Sequence, residues 1–244
     1  MALRLKQVPP EEWFSAAIDE GLKRMREHRS DPGWFHPSDA PNACARYHQL
    51  AFIGAPGQDK ASPELTFMAL VGTYIHTLIQ KAVGEHEAVF DIEGKLEDGV
   101  TRVRGSNDMR ILDYDGVLAI LDIKSCNALP AEPKPDHVLQ LAWYCYLAGA
   151  TRAVLQYITR GNGAKRRFTL AWHEMRAIWE ASRDQLAGVL ALTKDGVLAP
   201  RTPALKADCL SCPFEHFCDE TEKGDESWLE LRTSTLRLLS PHSM

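Results

Sequence analysis

The chain has 244 residues, 45% of them hydrophobic, enough apolar material for one large domain or a domain with an appendage. No run of about 18 apolar residues occurs, which excludes a membrane-spanning helix, and the first thirty residues lack an apolar signal-peptide core, so a cytoplasmic protein is expected. A formal net charge of -5 speaks against a broadly basic nucleic-acid binder, although a metal site built from carboxylates would itself add negative charge.

In chain order, residues 11–28 carry Trp13, Phe14, Ala17, Ile18, Leu22 and Met25 at helical spacing. A polar, Pro-containing loop from Asp31 to Asn42 follows, then Cys44. Ser62-Pro63-Glu64 reads as a helix start, with a capping Ser and a Pro at the first helical position. Leu65, Met68, Gly72, Ile75, Ile79 and Ala82 continue that helix to about Val83. Three extended runs are expected next, 88–94, 101–113 and 117–124, as a meander with turns at Glu97-Asp98-Gly99 and Asp115-Gly116. The third run lacks polar alternation, which suggests a strand buried on both faces. A helix over about 136–148, a strand over 153–158 and a long helix over about 173–192 complete the pattern. This order predicts an α/β fold with a mixed sheet flanked by helices. The expected segments are an N-terminal helical segment 1–61, a core 62–194 and a Cys-containing segment with a tail, 195–244.

The chemically pointed feature is Asp122-Ile123-Lys124, at the end of the third run. Residues i and i+2 share a strand face, so Asp122 and Lys124 stand side by side, and a buried pair of charges needs partners or a purpose. Asp108, on the preceding run, supplies a second carboxylate that can lie across the hairpin. Two carboxylates with a lysine suit Mg²⁺ or Mn²⁺ and phosphodiester chemistry; the alternative is a structural ion pair. His76 lies at the margin of the apolar face of the 62–83 helix and points toward the sheet, as a ligand or as a hydrogen-bonded core residue. Gln140 and Tyr144 share one helix face, available for a phosphate or base or for simple packing. The basic groups Arg102, Arg104, Arg110, Arg160, Lys165, Arg166 and Arg167 read either as DNA contacts or as solvated charges.

Gly72-x-x-x-His76, Gly105-x-x-Asp108, Asp122-x-Lys124 and Gln140-x-x-x-Tyr144 resemble, in order and spacing, the motifs of RecB-like nucleases of the PD-(D/E)XK superfamily. That resemblance implies a restriction-endonuclease-like core. It implies that His76, Asp108, Asp122 and the Ile123 carbonyl hold Mg²⁺ or Mn²⁺, that Lys124 is the catalytic lysine beside Asp108 and Asp122, and that Gln140 and Tyr144 contact DNA. Asn107 stands where the superfamily name has Pro.

Cys209, Cys212 and Cys218 form a C-x2-C-x5-C run, which in a reducing compartment suggests ligands to a soft metal centre. Cys44 is the best fourth thiol. Cys126 and Cys145 are expected as ordinary buried thiols, and His216 as solvated or hydrogen-bonded. One cysteine before the core and three after it resembles the iron–sulfur branch of the same nucleases, which includes the CRISPR-associated iron–sulfur exonucleases, the AddB nuclease domain and related phage exonucleases. The resemblance implies a 4Fe–4S cluster on Cys44, Cys209, Cys212 and Cys218, joining the N- and C-terminal segments; structural Zn²⁺ and unliganded thiols are the alternatives. The function implied is a metal-dependent DNA nuclease, with an exonuclease best fitting the branch, acting on single strands or duplex ends. Its context would be recombination, repair or CRISPR spacer processing. The partners implied are an integrase, an annealing protein or a helicase. A catalytically inactive DNA-binding or assembly subunit is the alternative, and oligomerisation stays open. Leu229, Leu231, Leu236, Leu238 and Leu239 are expected to dock on the same chain.

Overall fold

The structure, a computed structural model, describes residues 32–58, 63–83, 89–92, 94–112, 115–202, 209–210 and 212–222. The expected helix over 11–28, the capping Ser62 and the leucines of the tail lie outside the described residues. The described elements are α1 (Ala45–Phe52), α2 (Pro63–Val83), β1 (Val89–Ile92), β2 (Lys95–Asp98), β3 (Val103–Ser106), β4 (Met109–Leu112) and β5 (Leu118–Cys126). They continue with α3 (Pro135–Ala148), β6 (Arg152–Thr159), β7 (Lys165–Ala171), α4 (Trp172–Lys194) and α5 (Glu215–Glu222).

Five strands form one mixed sheet in the order β1-β4-β5-β6-β7, and β2 pairs with β3 in a separate two-stranded sheet. Within the larger sheet β5 and β6 are parallel and the other pairs antiparallel. A parallel pair needs a long crossover, and α3 supplies it. α3 starts with Pro135 in its first turn and stops at Gly149, whose φ of 65° is the left-handed conformation that ends a helix cheaply. α3 packs on β5 and β6 while α2 packs on β5. Ser125 meets α2 at Gly72 and Lys124 meets α3 at Gln140, so the two helices cover opposite faces of β5.

β5 is central because its residues can be buried on both faces. Ala119, Ile120, Ile123 and also Asp122 are all buried, in keeping with the unalternating sequence run. Beside it the expected meander is corrected. The 101–113 run is two strands, β3 and β4, broken at Asn107-Asp108, and β3 turns away to pair with β2 through the expected Asp-Gly turn. The Asn107 N–H bonds the Gly94 carbonyl at 3.2 Å instead of continuing a ladder. The Asp115-Gly116 turn does join β4 to β5 as expected.

The core gathers where α3 and α4 pack together. Trp143 is fully buried and donates its indole N–H to Ser182 Oγ at 3.0 Å, with Trp179 edge-on to it. α1 closes onto α4 through Gln49, also fully buried. Its amide donates to the Val197 carbonyl at 2.7 Å and accepts from the Ala199 N–H at 2.7 Å. Arg46 Nε donates to the Ala199 carbonyl at 3.0 Å, and Tyr47 packs on Phe214. Segments that precede and follow the core thereby lie together beside α4. No helix of the described residues is long and apolar enough to cross a membrane.

Candidate active site

The break between β3 and β4 positions the site. Met109 pairs with Leu121, so the antiparallel register carried one step further sets Asp108 opposite Asp122. Asp108 sits on a bend, and its Oδ2 accepts the Ile123 N–H at 2.7 Å. Gln80, one turn after His76 on α2, donates to the Asp108 carbonyl at 3.3 Å and fixes the bend from the other side. The N–H and C=O of one strand residue leave on the same edge, so the Ile123 carbonyl opens past the end of β4, beside Asp108. His76 Nδ1 lies 3.3 Å from Asp108 Oδ1.

Asp122 and Lys124 share a face of β5 as their spacing requires. Lys124 Nζ donates to Asp122 Oδ1 at 3.3 Å and stands 3.0 Å from Oδ2 without the alignment of a hydrogen bond. Asp122 Oδ2 is thus a fully buried acceptor with no hydrogen-bond partner. Burial holds the Asp122 carboxyl above its ordinary range, and nearby Asp108 adds to this; Lys124 and then His76 pull the other way. On its other side Lys124 Nζ donates to Gln140 Oε1 at 2.8 Å, and Gln140 Nε2 donates to the Tyr144 hydroxyl at 2.9 Å.

His76, Asp108, Asp122, Ile123, Lys124, Gln140 and Tyr144 thus gather at the start of β4 and the middle of β5, between α2 and α3. Two glycines make room for them. A Cβ on Gly72 would lie 3.0 Å from Ser125 Oγ, and one on Gly105 would lie 2.8 Å from Pro37 Cδ and 3.1 Å from Tyr144 Cε1. Gly105→Ala is therefore expected to displace Tyr144, and through Gln140 to loosen Lys124. The expected result is a loss of turnover of about tenfold, because small misplacements of positioning groups are costly. Steady-state kinetics checks it; turnover within twofold of the parent would show that the ring has room to move.

The second constellation also comes together. Cys44, Cys209, Cys212 and Cys218 line one cavity, with Tyr47 and Arg201 among its walls. Burial lifts the Cys212 thiol above its ordinary range, and the charges of Cys218, Cys44 and Cys209 add to the shift. Cys218 is lifted by burial and eased by a hydrogen bond from Arg46. Four soft donors around one cavity fit a thiolate-bound centre. Among the described residues no group of three or more His, Cys, Asp or Glu is already arranged to hold an ion.

Other expectations resolve individually. Cys145 is fully buried, its thiol pushed up to about 12 by burial, but Cys126 is only half-buried, its Sγ 3.6 Å from the Ile158 carbonyl. His216 is half-buried; its Nδ1 is buried without a hydrogen bond, and its ring lies tilted against Phe217. Most of these basic groups have protein partners. Arg102 and Arg104 lie over the Trp34 ring, Arg104 pairs with Glu97, Arg160 bonds Ser125 and Asn127, and Arg166 bonds the Pro130 carbonyl. Gln80 and His137 lie beside the motif residues without belonging to any motif. Each lies one helical turn from a motif residue, His76 or Gln140, and that spacing is the signal that could have found them.

Comparison with known proteins agrees with this architecture. The chain is 23% identical over 155 residues to the CRISPR-associated exonuclease Cas4 of Saccharolobus solfataricus, covering 62% of this chain and 71% of that protein. The crystal structure of SSO0001 superposes with a TM-score of 0.53 at 16% identity, covering 84% of this chain and 95% of that one, a likeness of fold. The alkaline exonuclease LHK-Exo of Laribacter hongkongensis covers 88% of this chain and 100% of its own at 15% identity, with a TM-score of 0.43 too low to bear on function. A model of the PD-(D/E)XK nuclease superfamily matches residues 9–219, from before α1 into α5. The chain belongs to the PD-(D/E)XK nuclease superfamily.

Proposed function

We propose that the chain is a metal-dependent DNA exonuclease that hydrolyses phosphodiester bonds at the site formed by the start of β4 and the middle of β5. The observation that carries this reading is the buried Asp122 Oδ2, which accepts no hydrogen bond and has the Lys124 ammonium as its ion-pair neighbour, beside Asp108 and His76. An acceptor left without a hydrogen bond in a protein interior is costly, and a divalent cation repays that cost. His76, Asp108, Asp122 and the Ile123 carbonyl make a nitrogen- and oxygen-rich donor set that fits Mg²⁺ or Mn²⁺. Bound there, the cation supplies an activated water and offsets charge on the phosphate.

The remaining work belongs to the chain's own residues. Lys124 directs its ammonium between Asp122 and the substrate, where it orients the attacking water and offsets charge developing on phosphorus-bound oxygen. Gln140 holds Lys124 by accepting a hydrogen bond from its ammonium, and the Tyr144 hydroxyl holds Gln140 by accepting one from its amide. In-line attack forms a bond from the water oxygen to phosphorus as the bond to the 3′ oxygen breaks, giving a 5′-phosphate and a 3′-hydroxyl, with the water's proton released to solvent and the leaving oxygen protonated from solvent. An exonuclease is favoured by the name of the Cas4 relative, and the same likeness supports CRISPR spacer processing with an integrase partner, ahead of recombination with an annealing protein or a helicase. The four cysteines fit a 4Fe–4S cluster that fastens 195–244 to the segment before the 62–194 core, with Zn²⁺ as the alternative centre.

End-labelled single-stranded and duplex DNA, incubated with anaerobically purified protein, tests the activity. Stepwise shortening is expected with Mg²⁺ or Mn²⁺ and none in EDTA, with recovery when the metal is returned. Folded, cluster-loaded protein that binds DNA and never shortens it would favour the inactive-subunit alternative. Cutting that persists in EDTA would remove the metal from the mechanism.

A further inference from the structure

His137 lies three residues before Gln140 and seven before Tyr144, so the three side chains share one face of α3. It is half-buried and touches a group that determines its hydrogens. Tyr157, on β6, is fully buried, and its hydroxyl accepts the Lys134 N–H at 3.0 Å. That hydroxyl lies 2.8 Å from His137 Nδ1. A phenol has one hydrogen and cannot leave it unbonded in a dry interior. Nδ1 is the partner within reach, so Tyr157 donates to it and Nδ1 accepts. The proton of a neutral His137 is then fixed on Nε2.

The surroundings keep the ring neutral. Burial, then the ammonium groups of Lys124 and Lys134, push its pKa down to about 4. The pairing of β5, β6 and β7 places Lys124, Tyr157 and Arg166 side by side in one row across the sheet, so the tautomer-setting phenol stands next to the lysine of the site. A neutral ring with a fixed Nε2–H among cationic groups is a directed donor in a field that attracts anions.

We propose that His137 binds a DNA phosphate next to the scissile one through Nε2–H, with Tyr157 as the positioning residue that fixes its tautomer. The inference rests on the nuclease reading for its choice of ligand, and it adds a substrate contact outside the motif residues. Its nearer alternative is a histidine that only completes the hydrogen bonding of Tyr157.

The test is binding of a labelled single-stranded oligonucleotide of about 20 nucleotides, followed by fluorescence anisotropy, with Ca²⁺ in place of Mg²⁺. Losing a hydrogen bond to a charged group is expected to weaken binding by about tenfold, so His137→Ala and His137→Phe should both show it. His137→Gln, which keeps a neutral donor near the Nε2 position, is expected to stay within about threefold of the parent. Tyr157→Phe keeps the ring and loses the hydroxyl, and should weaken binding by a few-fold. His137→Ala within twofold of the parent would overturn the proposal. So would His137→Gln binding as weakly as His137→Ala, since the loss would then be structural. Unchanged binding in Tyr157→Phe would overturn the role of the phenol. A parent that binds in this His137-dependent way and never cuts counts against the nuclease reading alone; a parent that cuts, with His137→Ala binding unchanged, counts against this inference alone.

Discussion

Lys124→Ala is expected to lose at least a hundredfold in turnover while its affinity for DNA changes by less than about fivefold, as befits a group that acts on developing charge. Two effects act together. The ammonium that would meet the phosphate is gone, and so is the charge that opposes the burial of Asp122. Burial and Asp108 already hold the Asp122 carboxyl above its ordinary range, with Lys124 the foremost influence pulling it down. Without Lys124 the carboxyl shifts further up, which weakens it as a metal ligand. Lys124→Arg is not expected to restore activity, because a planar fork cannot take the place of a compact ammonium between Asp122 and Gln140. Single-turnover rates with saturating protein, paired with anisotropy, separate the two quantities. Turnover within tenfold of the parent would show that Lys124 serves the fold and not the reaction.

On the proposed 4Fe–4S assignment, Cys212→Ala is expected to remove the iron and the brown colour and to lower stability by about 2–5 kcal/mol, by analogy with a native cross-link closing a long loop. The loop closed between Cys44 and Cys209 spans roughly 165 residues, so the constraint it places on the unfolded chain is large. Cys145→Ala is the control. Cys145 is fully buried in α3, away from the cavity that the four thiols line, so its loss should leave the metal content unchanged. Iron and sulfide analysis with thermal unfolding reads both. One equivalent of zinc in place of iron and sulfide would assign the cavity to a tetrahedral zinc site, and unchanged metal in Cys212→Ala would remove this thiol from the ligand set.

What the sequence disclosed, and what it hid, follows from where the partners of each residue lie. The site was legible because its spacings are short. Asp122 and Lys124 are two apart, Gln140 and Tyr144 four, and periodicity alone assigns each pair a common face. α1 escaped notice because its buried face carries His48 and Gln49, and the groups that satisfy Gln49 are about 150 residues away in sequence, at Val197 and Ala199. β7 was hidden by Lys165, Arg166 and Arg167, which read as a basic patch and are in fact an exposed edge strand, where charge discourages pairing with another chain. The break at Asn107-Asp108 was invisible because residues on either side of it are strand-like; only the hydrogen bonds of the backbone show that one run serves two sheets.

The crossover that α3 provides between two parallel strands has a further consequence, for the order in which the molecule can assemble. Lys124 and Gln140 are separated by 16 residues, and Asp108 and Ile123 by 15, whereas Gln49 and Ala199 are separated by 150. Loop closure costs more entropy the longer the loop, and contacts between distant residues slow the search for the native state. The proposed hydrolytic centre is thus encoded in low-contact-order structure, and the thiol cavity in the high-contact-order seam where the segments before and after the core meet. A nascent chain can hold its carboxylates, lysine and glutamine in place before the segment after α4 has met α1.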